Sequence, residues 1–173
     1  MKRILIAFSC LFAISFTASA QPSEGLSFGA GLRASLPIGD FADGYSFGIG
    51  AELQAEYGFS SNLSGVFTTG YSSFFGKEVD LGGGITYKPD AVGYIPLLAG
   101  IRYYAAETFF IGGQVGYGLL TGGGSSSGAF NYQPQIGYNA GSFQLTLNYN
   151  ALSKNSSTSS HIGLGAIYKF GGN

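Results

Sequence analysis

Apolar and polar side chains alternate with period two through most of the chain, most clearly from Tyr94 to Leu119. Ile95, Leu97, Ala99, Ile101 and Tyr103, then Phe109, Ile111, Val115, Tyr117 and Leu119, share one face. Leu98, Gly100, Arg102 and Tyr104, then Gly112, Gln114, Gly116 and Gly118, share the other. Period two is the spacing of side chains along a β-strand. Ala105 to Thr108 reads as the turn between two such strands. The same alternation predicts eight strands, at about 25–36, 46–58, 63–75, 93–104, 109–119, 129–139, 143–151 and 162–170.

The two faces differ in kind. One carries large apolar groups, as in Leu26, Phe28, Leu32 or Phe143, Leu145, Leu147, Tyr149. The other carries glycine, amides, hydroxyls and charge, as in Ser27, Gly29, Gly31, Arg33 or Gln144, Thr146, Asn148, Asn150. A soluble barrel turns its large apolar groups inward, and a membrane-spanning barrel turns them out. All five strand charges, Arg33, Glu52, Glu56, Arg102 and Lys169, fall on the polar face. An Arg or Lys facing lipid at mid-depth would cost about 2–4 kcal/mol, so this placement selects the spanning arrangement.

The connections alternate too. Phe59 to Asn62, Ala105 to Thr108 and Ala140 to Ser142 are short, whereas Pro37 to Tyr45, Gly76 to Val92, Thr121 to Gly128 and Leu152 to His161 are longer. Short periplasmic turns and long outer loops belong to an all-β fold, an eight-stranded antiparallel up-and-down transmembrane β-barrel. An even strand number puts both termini on the periplasmic side. Three places are less regular. Val66 falls on the polar face, the register blurs at Phe74-Phe75, and Pro134 predicts a bulge or local irregularity in the sixth strand. Pro96, near the start of the fourth strand, is easier to accommodate.

Residues 1–20 have the form of a cleaved secretory signal peptide. Lys2 and Arg3 precede the apolar run Ile4 to Phe16, and Ala18-Ser19-Ala20 offers a small-residue cleavage site. Residues 21–173 then form one outer-membrane barrel domain. Cys10 lies within the signal, so the mature chain carries no disulfide, thiol nucleophile or thiolate metal site. Removing Lys2 and Arg3 leaves 8 − 2 = 6 basic residues against 9 acidic ones, a net charge of −3. No basic stripe offers itself to nucleic acid. No apolar run after residue 20 is long enough for a membrane helix.

The five inward charges are the candidate site. Glu56, Arg102 and Lys169 are expected near the periplasmic end, Glu52 near mid-height and Arg33 nearer the outside. Eight strands enclose little space, so these groups read as an ion-pair and hydrogen-bond plug, with Gln54, Gln114, Gln133, Gln135 and Asn148 filling gaps. A selective pore lined by the same residues is the alternative. The many inward glycines leave open whether the strands curve tightly or enclose a cavity.

Catalysis has little support. His161 stands beside Ser159 and Ser160, the pairing a lipid hydrolase would use, but neither an orienting acid nor an oxyanion site can be placed. Ser153 to Ser160 reads as a hydrated surface loop. No catalytic, cofactor-binding or metal residue is assigned: Glu78, Asp80 and Asp90 lack calcium-loop spacing, and no lysine or helix start follows Gly82 to Gly84 or Gly122 to Gly124. Aromatics gather near both ends of the strands, Tyr57, Phe59, Tyr103, Phe109, Tyr138, Phe143, Tyr168 and Phe170 at one and Tyr45, Phe47, Tyr71, Tyr94, Tyr117, Phe130, Tyr132 and Tyr149 at the other. Such belts suit the two headgroup levels of a bilayer.

Leu36-Pro37-Ile38-Gly39-Asp40-Phe41, Gly70-Tyr71, Ile95 to Tyr104 and the closing Ile167-Tyr168-Lys169-Phe170 together resemble the small outer-membrane β-barrel proteins of Gram-negative bacteria. The likeness is to the Bacteroidota type, similar to the OmpA transmembrane domain and OmpX-like barrels. That resemblance implies residence in the outer membrane, outer-membrane lipid as surroundings, and insertion by the outer-membrane assembly machinery. The leading expectation for function is a non-enzymatic structural or surface-interaction role, any extracellular partner being met at the four outer loops. A narrow conduit for a small solute is the second expectation, and a lipid-modifying enzyme the third.

Overall fold

The structure is a computed structural model and describes residues 25–80, 82–83, 85–155 and 157–170. The expected signal peptide and its cleavage site lie outside the described residues. Eight long strands close into an antiparallel barrel: β1 (Gly25–Ile38), β2 (Tyr45–Gly58), β3 (Leu63–Gly76), β6 (Val92–Tyr104), β7 (Phe109–Gly122), β8 (Ser125–Ala140), β9 (Phe143–Lys154) and β10 (Ser157–Phe170). A one-turn helix, α1 (Phe41–Gly44), follows β1, and a small hairpin of β4 (Val79–Asp80) and β5 (Thr86–Tyr87) sits in the loop after β3. Each barrel strand pairs with its sequence neighbour, and β1 pairs with β10 to close the cylinder. Closure leaves the sheet without exposed edges, the condition for crossing a bilayer with strands.

The alternation sets which side chain goes where. Leu32, Leu53, Ile101, Val115, Leu145 and Leu164 are more than half exposed on the outer wall, while Arg33, Glu52, Arg102 and Gln144 are buried inside. Val66 does face inward, and the ambiguity at Phe74-Phe75 resolves with Phe74 fully buried in the lumen and Phe75 outside.

Two of the expected long loops are not loops. The strands β7 and β8 run on to a tight turn at Gly123–Gly124, and β9 and β10 run on to one at Asn155, whose φ of 48° is left-handed. The serine-rich segments there lack apolar alternation, because the pairing is made by backbone groups and needs no apolar face. Thr121–Gly122, Ser125–Gly128, Leu152–Lys154 and Ser157–His161 are therefore strand extensions beyond the apolar belt.

Pro134 interrupts its ladder without shifting it. Pairing of β8 with β9 stops after Tyr132↔Ala151 and resumes at Gln135↔Asn148 in the same register. The register does shift elsewhere, between Tyr45 and Phe47 on β2.

Candidate functional site: the barrel lumen

The lumen is filled in layers. Nearest the short turns, Glu56 is the hub. Its Oε2 lies 2.9 Å from Arg102 Nη1 and 3.8 Å from Lys169 Nζ. Its Oε1 accepts hydrogen bonds from Ser64 Oγ, at 2.6 Å, and from the Tyr104 hydroxyl. Arg102 also donates to Gln144 Oε1 at 3.1 Å, Gln54 Oε1 at 2.9 Å and Gln135 Oε1 at 3.3 Å. Its guanidinium carbon stands 4.6 Å from the centroid of the Phe110 ring, a cation–π contact inside the wall. A planar guanidinium with a fork of donors suits this role, since it binds several acceptors around the circumference at once. Strands β2, β6, β8 and β9 are thus tied together through one side chain.

The next layer joins Arg33 and Glu52 in an ion pair. Arg33 Nη1 donates to Gln133 Oε1 at 3.0 Å, and Asn150 Nδ2 donates to the same oxygen at 2.7 Å. The Tyr94 hydroxyl donates to Asn150 Oδ1 at 3.2 Å and accepts from Asn131. The five charges of the sequence reading all lie in the lumen, and they divide into these two layers, Glu56 with Arg102 and Lys169, Arg33 with Glu52.

Above them the filling turns apolar. Phe41, Phe74, Tyr94, Ala129 and Leu152 form a buried cluster at the loop end. Phe74 meets Phe41 edge-on at 5.0 Å between centroids and His161 likewise at 5.0 Å. Tyr94 meets His161 at 5.4 Å. Phe41 arrives from α1, where the chain turns back through Gly39 at a φ of 59° and Ala42 N donates to Gly39 O at 2.8 Å. Lys77 N donates to Gly44 O at 2.8 Å, so the second outer loop holds the first over the mouth.

Inward glycines make room for the rings. A Cβ on Gly48 would lie 2.6 Å from the Phe74 ring, and one on Gly137 would lie 2.2 Å from the Phe110 ring. The question the sequence left open is settled at these positions: the space is occupied by a neighbour's side chain.

A closed eight-stranded antiparallel cylinder has solved counterparts. Ail of Yersinia pestis, in a complex with the heparin analogue sucrose octasulfate, superposes with a TM-score of 0.58 at 19% identity, over 85% of this chain and 99% of that one. Ail in a phospholipid bilayer nanodisc gives 0.60 at 19% identity, over 85% and 100%. The N-terminal β-barrel domain of Pseudomonas aeruginosa OprF gives 0.52 at 10% identity, over 86% and 99%. The chain has the fold of the small outer-membrane barrels. No protein-family model matches the sequence, and no curated protein matches it.

Two expectations need correction. Tyr94, expected in the outer aromatic belt, has its ring fully buried inside the mouth. Its neighbours in sequence, Ile95 and Leu97, remain on the opposite face, so strand alternation requires this. His161 does not stand in a loop either. It is on β10, buried in the lumen, with neither ring nitrogen hydrogen-bonded among the described residues. Ser160, one residue earlier, faces the other way and pairs with the Tyr149 hydroxyl at 3.0 Å. The serine–histidine pairing that a hydrolase would need is not formed there.

Tyr104, Ser64, Gln144, Asn139 and Phe110 complete this network without a sequence signal that marks them for it. Alternation places each of them inward, but only closure of the cylinder shows which heights coincide. For Phe41 there was no periodic signal, because it lies between strands.

Proposed function

We propose that this protein is an integral outer-membrane barrel whose role is structural and surface-presenting, carried by its outer loops and hairpins, and that it is neither a conduit nor an enzyme. One observation carries this reading: the lumen is obstructed twice, by the Arg102–Glu56 layer and by the Phe41–Phe74–His161 stack. A solute would have to displace both a hydrogen-bonded guanidinium and a packed aromatic cluster. The wall, by contrast, is built for lipid, with belts such as Tyr57, Tyr103, Tyr138 and Tyr168 half exposed at the short-turn end.

The loop end is therefore where a partner would be met. Ail is described with a sulfated heparin analogue. The outer connections of this chain carry Asp40, Asp43, Glu78, Asp80 and Asp90 against Lys77, Lys88 and Lys154. That excess of carboxylate disfavours a polyanion, and the partner that fits is neutral or basic.

The test has two parts. Unboiled and boiled samples should migrate differently on a detergent gel and the protein should float with liposomes; soluble protein with unchanged migration would sink the membrane placement. Reconstituted protein in a planar bilayer should pass no ions. Steady conductance that responds to Arg102→Ala would instead establish the conduit.

A further inference from the structure

The wall has one built discontinuity, between β8 and β9 at Pro134. Strand residues address their two neighbours alternately, and two bonds fix the phase here. Asn139 N donates to Thr108 O at 2.6 Å, across to the β7 side, and Lys169 N donates to Ser142 O at 2.7 Å, so Ser142 addresses β10. Even-numbered residues of β8 therefore address β9, and odd-numbered residues of β9 address β8. Pro134 and Tyr149 meet as one such pair. Proline has no N–H, so the Tyr149 carbonyl receives no donor from the opposing strand. It is at this position that the pairing of β8 with β9 lapses.

A groove of about 470 Å³ lies over that lapse, lined by Pro134, Tyr149, Ile111, Ile136, Leu147 and Ile162 among others. Those last four side chains point out of the barrel and are 40% or more exposed. On the facing strand β7, Gly113 is in register with Pro134 and presents no side chain, and a Cβ there would meet nothing within 4 Å. The result is an apolar recess in a lipid-facing wall, bordering a backbone acceptor that the strand ladder leaves unserved. Apolar lipid chains offer such an acceptor no partner, and leaving it bare against them costs several kcal/mol by general transfer data.

We propose that this groove binds a single-chain amphiphile that carries a hydrogen-bond donor, an amide or a hydroxyl. The donor meets the Tyr149 carbonyl while the chain lies along Ile111, Ile136, Leu147 and Ile162. The inference rests on the membrane placement argued above, because the recess has meaning only if this wall faces lipid.

The mature chain contains no tryptophan, so a single introduced one reports its own surroundings. Leu164→Trp places the reporter on β10 beside the groove without altering its lining, and Leu53→Trp places it on β2, on the other side of the barrel. Each variant is reconstituted in phosphatidylcholine vesicles, whose headgroup has no donor, and is first checked for flotation and heat-modifiable migration. A failure at that step would strike the membrane placement and not the groove. Quenching is then compared for a nitroxide-labelled stearamide and for the methyl ester of the same labelled acid. The expected result is saturable quenching at Leu164→Trp with the amide favoured about fivefold, the worth of one hydrogen bond. No preference is expected at Leu53→Trp. Pro134→Thr, which supplies an N–H, should abolish the preference while leaving migration and flotation intact, and Pro134→Val should do the same. Equal quenching by amide and ester, or a preference that survives both proline substitutions, would overturn the proposal.

Discussion

Arg102 Nη1 and Glu56 Oε2 stand 2.9 Å apart on strands that are not neighbours, with β3 between them in the wall. Both side chains are sealed from solvent. A buried pair of this kind is best tested by breaking it, because the partner left behind is an uncompensated charge. Arg102→Ala is expected to destabilise the barrel by about 3–5 kcal/mol in reversible urea unfolding. The double variant Arg102→Met with Glu56→Leu removes both charges and should recover most of that loss. If the double variant is as unstable as the single one, the pair acts through its amide partners and not through its charge.

His161 gives a prediction of the opposite sign. The imidazole is buried between Phe74 and Tyr94 with no hydrogen-bond partner for either nitrogen among the described residues. An unserved buried polar group costs about 1–3 kcal/mol. His161→Phe should therefore stabilise the protein in the same unfolding measurement, whereas a lipid-modifying role would require the imidazole. An unchanged lipid A profile in cells producing His161→Phe would agree with the structural reading.

Two glycines one register step apart should behave differently. A Cβ on Gly100 would lie 1.9 Å from Gly113 O, while one on Gly113 would meet nothing within 4 Å. Gly100→Ala has to push two strands apart and is expected to cost about 1–3 kcal/mol or to block folding. Gly113→Ala should change stability by less than about 0.5 kcal/mol. The fraction of heat-modifiable protein after refolding compares them directly.

Phe41 and Arg102 guard the same passage at different heights. Phe41→Ala opens the loop end but leaves the Arg102 layer in place, so this variant should remain silent in a planar bilayer. Combined with Arg102→Ala, it should give measurable current. Conductance from Phe41→Ala alone would show that the polar layer does not close the lumen.

The serine-rich extensions show one limit of reading strands from apolar pattern. Ser125 to Gly128 and Ser157 to Ser160 carry no apolar alternation, yet both run in strand pairing. Pattern reports the part of a strand that lies between lipid and lumen, and backbone pairing continues past it. Phe41 shows a second limit. Its burial depends on where α1 folds, and a residue between strands has no face to inherit.

The sequence by itself determined the strand number, the closed antiparallel class and the side of the wall on which almost every strand residue lies. The reason is that a spanning strand has two environments of opposite polarity, and a one-residue slip would put every side chain in the wrong one. Arg33, Glu52, Glu56, Arg102 and Lys169 were legible as lumen residues for that cause. Only the tertiary structure decided who meets whom. The pairing of Arg33 with Gln133, 100 residues apart, depends on the stagger and curvature of the closed cylinder. Alternation fixes in or out, but height and angle around the barrel come from closure. That is why Glu56 became the hub of the lower lumen, Tyr94 and His161 joined the upper stack, and Pro134 became a gap in the wall.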